Sequence, residues 1–220
     1  MNTFDYEKFL DYLKSKEDLE YKKFHLSLKG ANEMIGVRTP ILRNIAKDIS
    51  KNDYQNFIKS NTKKYYEECA ILAYLIGYLK VDFHEVLKIL DENIDCFDSW
   101  ALTDGLCSTL KIFKNNQEEG FEYIKKILKS NNPWHIRIGL VLMLNYYIND
   151  KYIDNVLELS RNIKNENYYV KMANAWLLSV AYIKYKNKVN NILEKVDDFT
   201  RRKTISKIND SRRVIGKIIF

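Results

Sequence analysis

The sequence predicts an all-α fold, an α-solenoid of antiparallel helix pairs forming a single domain over residues 1–220. Three observations carry that expectation. Apolar residues recur at helical spacing along almost the whole chain, and no period-two run bounded by turn residues reads as a strand. The breaks between the apolar stripes are short and polar. Only two prolines and seven glycines interrupt 220 residues, which leaves little vocabulary for loops.

Phe4, Phe9, Leu10 and Leu13 mark a first amphipathic helix, and Ile41, Leu42, Ile45, Ala46 and Ile49 a second. Further stripes run over Ile71–Leu79, Val86–Leu90, Phe121–Leu128, Ile138–Leu144, Ile153–Leu159, Met172–Val180 and Val189–Val196. Lys51-Asn52-Asp53, Lys114-Asn115-Asn116, Lys129 to Asn132 and Lys164 to Asn167 separate them at alternately short and long intervals, as helix hairpins require. Segments opening near Tyr65, Ser99, Pro133 and Tyr168 each continue as a long helix, about 35 residues apart. That step fits two-helix repeats of the HEAT-like or armadillo type. A stack of such pairs buries one continuous core and curves, and the second helix of each pair then lines the concave side.

The net charge of +7 is unevenly distributed. Arg201, Arg202, Lys203, Lys207, Arg212, Arg213 and Lys217 face a single acid, Asp210, after residue 199, so +6 of the total sits in the last tenth of the chain. A polyanionic partner touching that end is one reading and a solvated basic helix the other. Cys69, Cys96 and Cys107 are odd in number and lack metal spacing, so they read as buried thiols of a reducing compartment. No stretch is apolar enough for a membrane span, and the start carries no signal-peptide pattern, which gives an expectation of a cytoplasmic protein. No nucleophile triad, phosphate loop, dinucleotide glycine pattern or metal cluster is visible, so no cofactor is expected and any catalysis must be electrostatic.

Gly36-Val37-Arg38-Thr39-Pro40-Ile41-Leu42-Arg43 is the most loop-like motif. Thr39 suits an N-cap, Pro40 the first helical position, and Gly36 an unusual turn. The free amides of that helix start, beside Arg38 and Arg43, would receive a phosphate well. A merely well-capped helix accounts for it equally. Trp100 and Asp104 are four apart and share a helix face. Arg137 follows 37 residues after Trp100, and Trp176 follows 39 after Arg137, so steps of about one repeat place all four on one wall. Two aromatic rings, a carboxylate and a guanidinium could hold a cation beside a phosphate chain. Against this, an isolated Trp is usually core, and Asp104 with Arg137 could form a structural ion pair between neighbouring helices. Trp134 reads as packing. Glu67-Glu68 reads either as a solvated face or, preferably, as holding a neighbouring helix.

These residues together resemble the DNA alkylation repair glycosylases built from HEAT-like repeats, over about Lys22 to Arg213. The resemblance rests on GVRTPILR, the Trp-x-x-x-Asp helix at Trp100 and Asp104, the Trp-x-x-Arg helix start at Trp134 and Arg137, and YYVKMANAWLL at Trp176. It implies a right-handed α-solenoid whose concave, basic groove cradles duplex DNA. It also implies excision of cationic N3- and N7-alkylated purines without drawing the base into a pocket, unlike most glycosylases. Trp100, Asp104 and Trp176 would then be catalytic. Arg137 would grip a phosphate of the damaged strand, while Arg38, the helix start at Thr39, Arg43, Lys171, Arg212 and Arg213 would hold the duplex backbone. A monomer acting on alkylated duplex DNA, with no obligate protein partner and no membrane, is the corresponding expectation.

Two departures stand out. Ile136 precedes Arg137 where the family pattern often has a basic residue, and Lys171-Met172 keeps one basic residue of an expected pair. Two rivals therefore accompany the glycosylase reading: a catalytically silent relative that binds damaged or branched duplex, and a helical scaffold for another protein.

Overall fold

A helix that is apolar on every face must have neighbours on every side, and two segments of this chain have that property. The computed structural model describes residues 4–27 and 33–211. Among them are twelve α-helices and no strand. They are α1 (Tyr6–Lys14), α2 (Leu19–Leu26), α3 (Thr39–Lys51), α4 (Tyr54–Ser60), α5 (Tyr66–Tyr78), α6 (Phe83–Asn93), α7 (Trp100–Thr109), α8 (Gln117–Ile127), α9 (Pro133–Tyr146), α10 (Ile153–Arg161), α11 (Tyr168–Leu193) and α12 (Asp198–Asn209). Two 3-10 turns lie at Ile94–Cys96 and Lys111–Lys114. The chain divides into two compact units, Met1–Ile112 and Phe113–Phe220.

In the first unit the all-round apolar helix is α5, buried from Tyr66 through Ile76. It packs between α3 and α7, so alternate helices lie side by side, as in a helical repeat. The amphipathic α3 turns Leu42 and Ala46 inward, and α7 turns Leu102, Leu106 and Cys107 inward. In the second unit α9 plays the same part, buried from Ile136 through Met143 and packed along α11. Ile153 and Leu157 of α10, Leu178, Ala181, Tyr182 and Val189 of α11, and Ile208 of α12 close a core beside it. The helices α5, α7, α9 and α11 begin at Tyr66, Trp100, Pro133 and Tyr168, within one residue of the starts expected from the repeat.

The stripes Met172–Val180 and Val189–Val196 lie on either side of a kink. Helix α11 carries the first stripe and the second as far as Leu193, and leaves helical geometry at Tyr185 (φ −124°, ψ 44°), whose hydroxyl donates to Asp150 Oδ1 at 2.6 Å. No glycine or proline lies between the stripes to end the helix, so the backbone kinks rather than stops. The N-cap of α3 is Arg38, not Thr39: Arg38 is extended (φ −66°, ψ 141°) and its carbonyl accepts from the Ile41 amide at 3.0 Å. Pro40 consequently takes the second helical position, where its fixed φ fits and its missing N–H costs nothing.

Glu67 and Glu68 are fully buried, but they chiefly hold loops rather than helices. Glu67 accepts the amides of Ile35, Gly36 and Val37 at 2.9, 2.7 and 3.0 Å. Glu68 accepts those of Thr62, Lys64 and Tyr65 at 3.1, 3.0 and 2.9 Å, the last reaching back to the N-cap of its own helix. One helix is tied as expected: the Tyr6 hydroxyl of α1 donates to Glu68 Oε1 at 3.1 Å.

Gly36 is the hinge of the loop that Glu67 holds. Its φ is +106°, and a Cβ there would lie 2.8 Å from Lys22 Cβ and 3.0 Å from the Asp18 carbonyl oxygen. Both the backbone conformation and the space exclude a side chain. Gly36→Ala is expected to lower stability by about 1–3 kcal/mol in urea unfolding, the range of a strained non-glycine residue. A change below about 0.5 kcal/mol would show that the loop readjusts freely.

Candidate functional site

The helices that carry Trp100, Arg137 and Trp176 each start on a side-chain cap, which fixes where the first turn begins. Ser99 caps α7, Asn132 caps α9, and Asn167 caps α11. Within the first unit, Ser99 makes Trp100 the first helical residue, and the indole stands 43% exposed. One turn later Asp104 is half-buried on the same face, while Leu102, Thr103 and Leu106 turn into the core. The Thr103 hydroxyl lies 3.0 Å from the Ser99 carbonyl oxygen and 3.3 Å from Asp104 Oδ1. So a large aromatic ring and a carboxylate are held together at a solvent-facing helix start.

Arg43, on α3, is aimed at this helix. Its guanidinium lies 4.3 Å from the Tyr74 ring centre and donates to the Tyr78 hydroxyl at 3.3 Å and to Ser108 Oγ at 3.2 Å. Burial raises the Tyr74 phenol above its ordinary pKa, and the Arg43 charge opposes that. Arg38 stays at the surface, its side chain 58% exposed, with Nε donating to Asp18 Oδ2 at 2.7 Å. The Tyr21 amide and then Arg38 hold the Asp18 carboxyl below its usual range. Thr39 opens α3 beside it.

Within the second unit, Arg137 lies in the first turns of α9 and is 6% exposed. Its Nη1 donates to the Tyr169 carbonyl at 2.7 Å. Trp134 packs against Tyr169, with ring centres 4.9 Å apart and planes tilted by 34°, consistent with its reading as packing. The orientation of α11 is set by Asn174. Its Oδ1 accepts from Ser160 Oγ at 2.6 Å, and its Nδ2 donates to the Ser160 carbonyl at 3.0 Å, both inside the protein. Two residues on, about 200° around the helix, Trp176 therefore faces away from α10. It lines an open pocket of about 340 Å³ with Ser179, Val180, Ile183, Lys207, Asp210 and Ser211. Lys171 is held between two carboxylates, 2.6 Å from Glu166 Oε2 and 3.6 Å from Asp197 Oδ1. The hydrogen bond to Glu166 raises its ammonium pKa. Arg212 and Arg213 lie outside the described residues.

Sequence reasoning missed the Arg43 cluster and the flanking of Trp176 by Lys207 and Asp210. No spacing signal could have shown either, because each joins different helices. The three cysteines are free thiols. A hydrogen bond with Cys69, then burial, pushes the Cys96 thiol upward, which keeps it protonated at neutral pH. Among the described residues no group of three or more His, Cys, Asp or Glu is placed to hold a metal ion. No helix among them is long and apolar enough to cross a membrane.

A family model described as DNA alkylation repair enzyme matches residues 8–209. No curated protein matches the chain.

Proposed function

The chain belongs to the DNA alkylation repair enzyme family, and we propose that within it the protein is a monofunctional glycosylase releasing cationic alkylated purines from duplex DNA. One observation supports this above the others: Trp100 keeps an exposed indole one turn before Asp104, at a capped helix start. An indole with a purely structural task would be buried, since sealing a large aromatic ring is worth several times the thermal energy.

The mechanism follows from charge. An alkylated purine already carries a positive charge and leaves readily, so acid catalysis is dispensable. As its glycosidic bond stretches, positive charge moves to the deoxyribose. The faces of Trp100 and Trp176 attract that cation. Asp104 adds a fixed negative charge and orients the attacking water. Arg137 donates to a phosphate of the damaged strand, and the base is not extruded. Arg38, the amides at the Thr39 helix start, Lys171, Arg212 and Arg213 supply the positive charge that holds the backbone, whereas the Arg43 guanidinium is engaged with Tyr74, Tyr78 and Ser108. Lys171 reaches a phosphate only by giving up Glu166, so its contribution is the smallest of these. The protein acts on the duplex as a monomer.

The test is release of 3-methyladenine or 7-methylguanine from methylated duplex, read beside duplex affinity on the same sample. Affinity without release marks a silent binder and ends the glycosylase reading. The logarithm of the binding constant should fall linearly with log salt, with a slope of about −0.9 for each phosphate neutralised. Arg38→Ala removes a surface side chain whose ion pair contributes little to folding. It is expected to flatten that slope by about 1. Binding indifferent to salt would instead identify a scaffold for another protein.

A further inference from the structure

Arg43 was expected to touch a phosphate, yet its guanidinium is spent on three side chains of its own unit. Tyr74 and Tyr78 are on α5, and Ser108 is on α7. Ser108 lies one turn beyond Asp104, on the same face of α7, and its hydroxyl donates to the Gly105 carbonyl at 2.7 Å. Gly105, the residue directly after Asp104, has no side chain where Tyr74 lies. A Cβ there would come within 3.0 Å of Tyr74 Cε1 and 3.3 Å of its hydroxyl oxygen. The ring that carries Arg43 on its face therefore leans on the α7 backbone beside Asp104. From one guanidinium, two routes reach α7: one through Tyr74 to Gly105, the other through Ser108.

We propose that Arg43 is a positioning residue that fixes the rotation and height of the Trp100–Asp104 face of α7, acting through Tyr74 and Ser108. This rests on the glycosylase reading above for its consequence in catalysis, and refines the part Arg43 plays in it. The planar fork is what the site uses. It stacks on one ring while donating in two directions at once, which an ammonium at the same place cannot do. A displacement of about 1 Å at a reacting group is enough to cost on the order of a hundredfold in rate.

The discriminating variants are Arg43→Lys, which keeps the charge and loses the fork, and Ser108→Ala, which removes one surface hydroxyl and leaves the fold intact. Positioning predicts that Arg43→Lys lowers single-turnover excision by at least about tenfold, with duplex affinity and its salt slope unchanged. Ser108→Ala lowers excision by a smaller factor, also at unchanged affinity. A phosphate grip predicts the reverse: Arg43→Lys active, and Arg43→Ala weaker in affinity with a salt slope flatter by about 1. That result, or full activity in both variants, overturns the proposal. If the wild-type protein releases no base, the glycosylase reading fails alone, and the positioning claim is read from amide hydrogen exchange. Faster exchange across Ala101–Thr109 in both Arg43→Lys and Ser108→Ala supports it, and unchanged exchange overturns it.

Discussion

Asp104→Asn is expected to lower base release by roughly a thousandfold while leaving duplex affinity within about twofold. The substitution preserves shape and removes one charge, so it isolates electrostatics from packing. A carboxylate about 4 Å from a developing sugar cation gains about 4 kcal/mol at an effective dielectric constant of 20. That energy corresponds to about three powers of ten in rate. Loss of a neutral hydrogen bond would account for only about 1 kcal/mol. Trp100, by contrast, offers a cation–π attraction of about 0.5–2 kcal/mol, so Trp100→Leu should cost at most about thirtyfold. The order of the two losses is the informative result. Retention of more than a tenth of the activity in Asp104→Asn, measured in single turnover at saturating enzyme, would remove Asp104 from the mechanism.

How far the sequence anticipates this structure depends on the range over which each signal acts. Helical periodicity is a local signal, so the starts of α5, α7, α9 and α11 were legible to within a residue. The short helices α2 and α4 were not, because α2 buries no residue and α4 buries only Phe57. A stripe that packs against little leaves little pattern. The kink at Tyr185 was not legible, because no glycine or proline marks it. Continuity is decided by the missing glycine and proline rather than by the stripes. Placing Trp100 and Asp104 on one face of α7 required only their spacing. The partners of Arg43 lie 31, 35 and 65 residues away, and no single-sequence pattern pairs residues at such distances. Glu67 gave a signal that was read only in part. A carboxylate opening the most apolar helix of the chain must be satisfied, but the sequence does not say by what.

Glu67 is where the largest loss of stability is expected. Its side chain is 0% exposed and accepts three backbone amides, from Ile35, Gly36 and Val37, in a loop whose flanking side chains are themselves buried. Glu67→Ala leaves those donors without acceptors and opens a void. An unsatisfied buried donor costs about 1–3 kcal/mol, and three share the loss here. The expected destabilisation is about 4 kcal/mol or more, a large part of the roughly 5–15 kcal/mol that holds a domain folded. Glu67→Gln keeps one acceptor oxygen but turns an NH2 group toward a donor amide, so it should cost about 2–3 kcal/mol. The two variants in urea unfolding give the ordering even if Glu67→Ala is too unstable to purify. A cost below about 1 kcal/mol for Glu67→Gln would mean the loop is held by its apolar side chains instead. The loop leads directly into Arg38 and α3, so its loosening reaches Arg43 as well. Glu67→Gln is therefore expected to lower excision along with stability, whereas Asp104→Asn lowers excision alone.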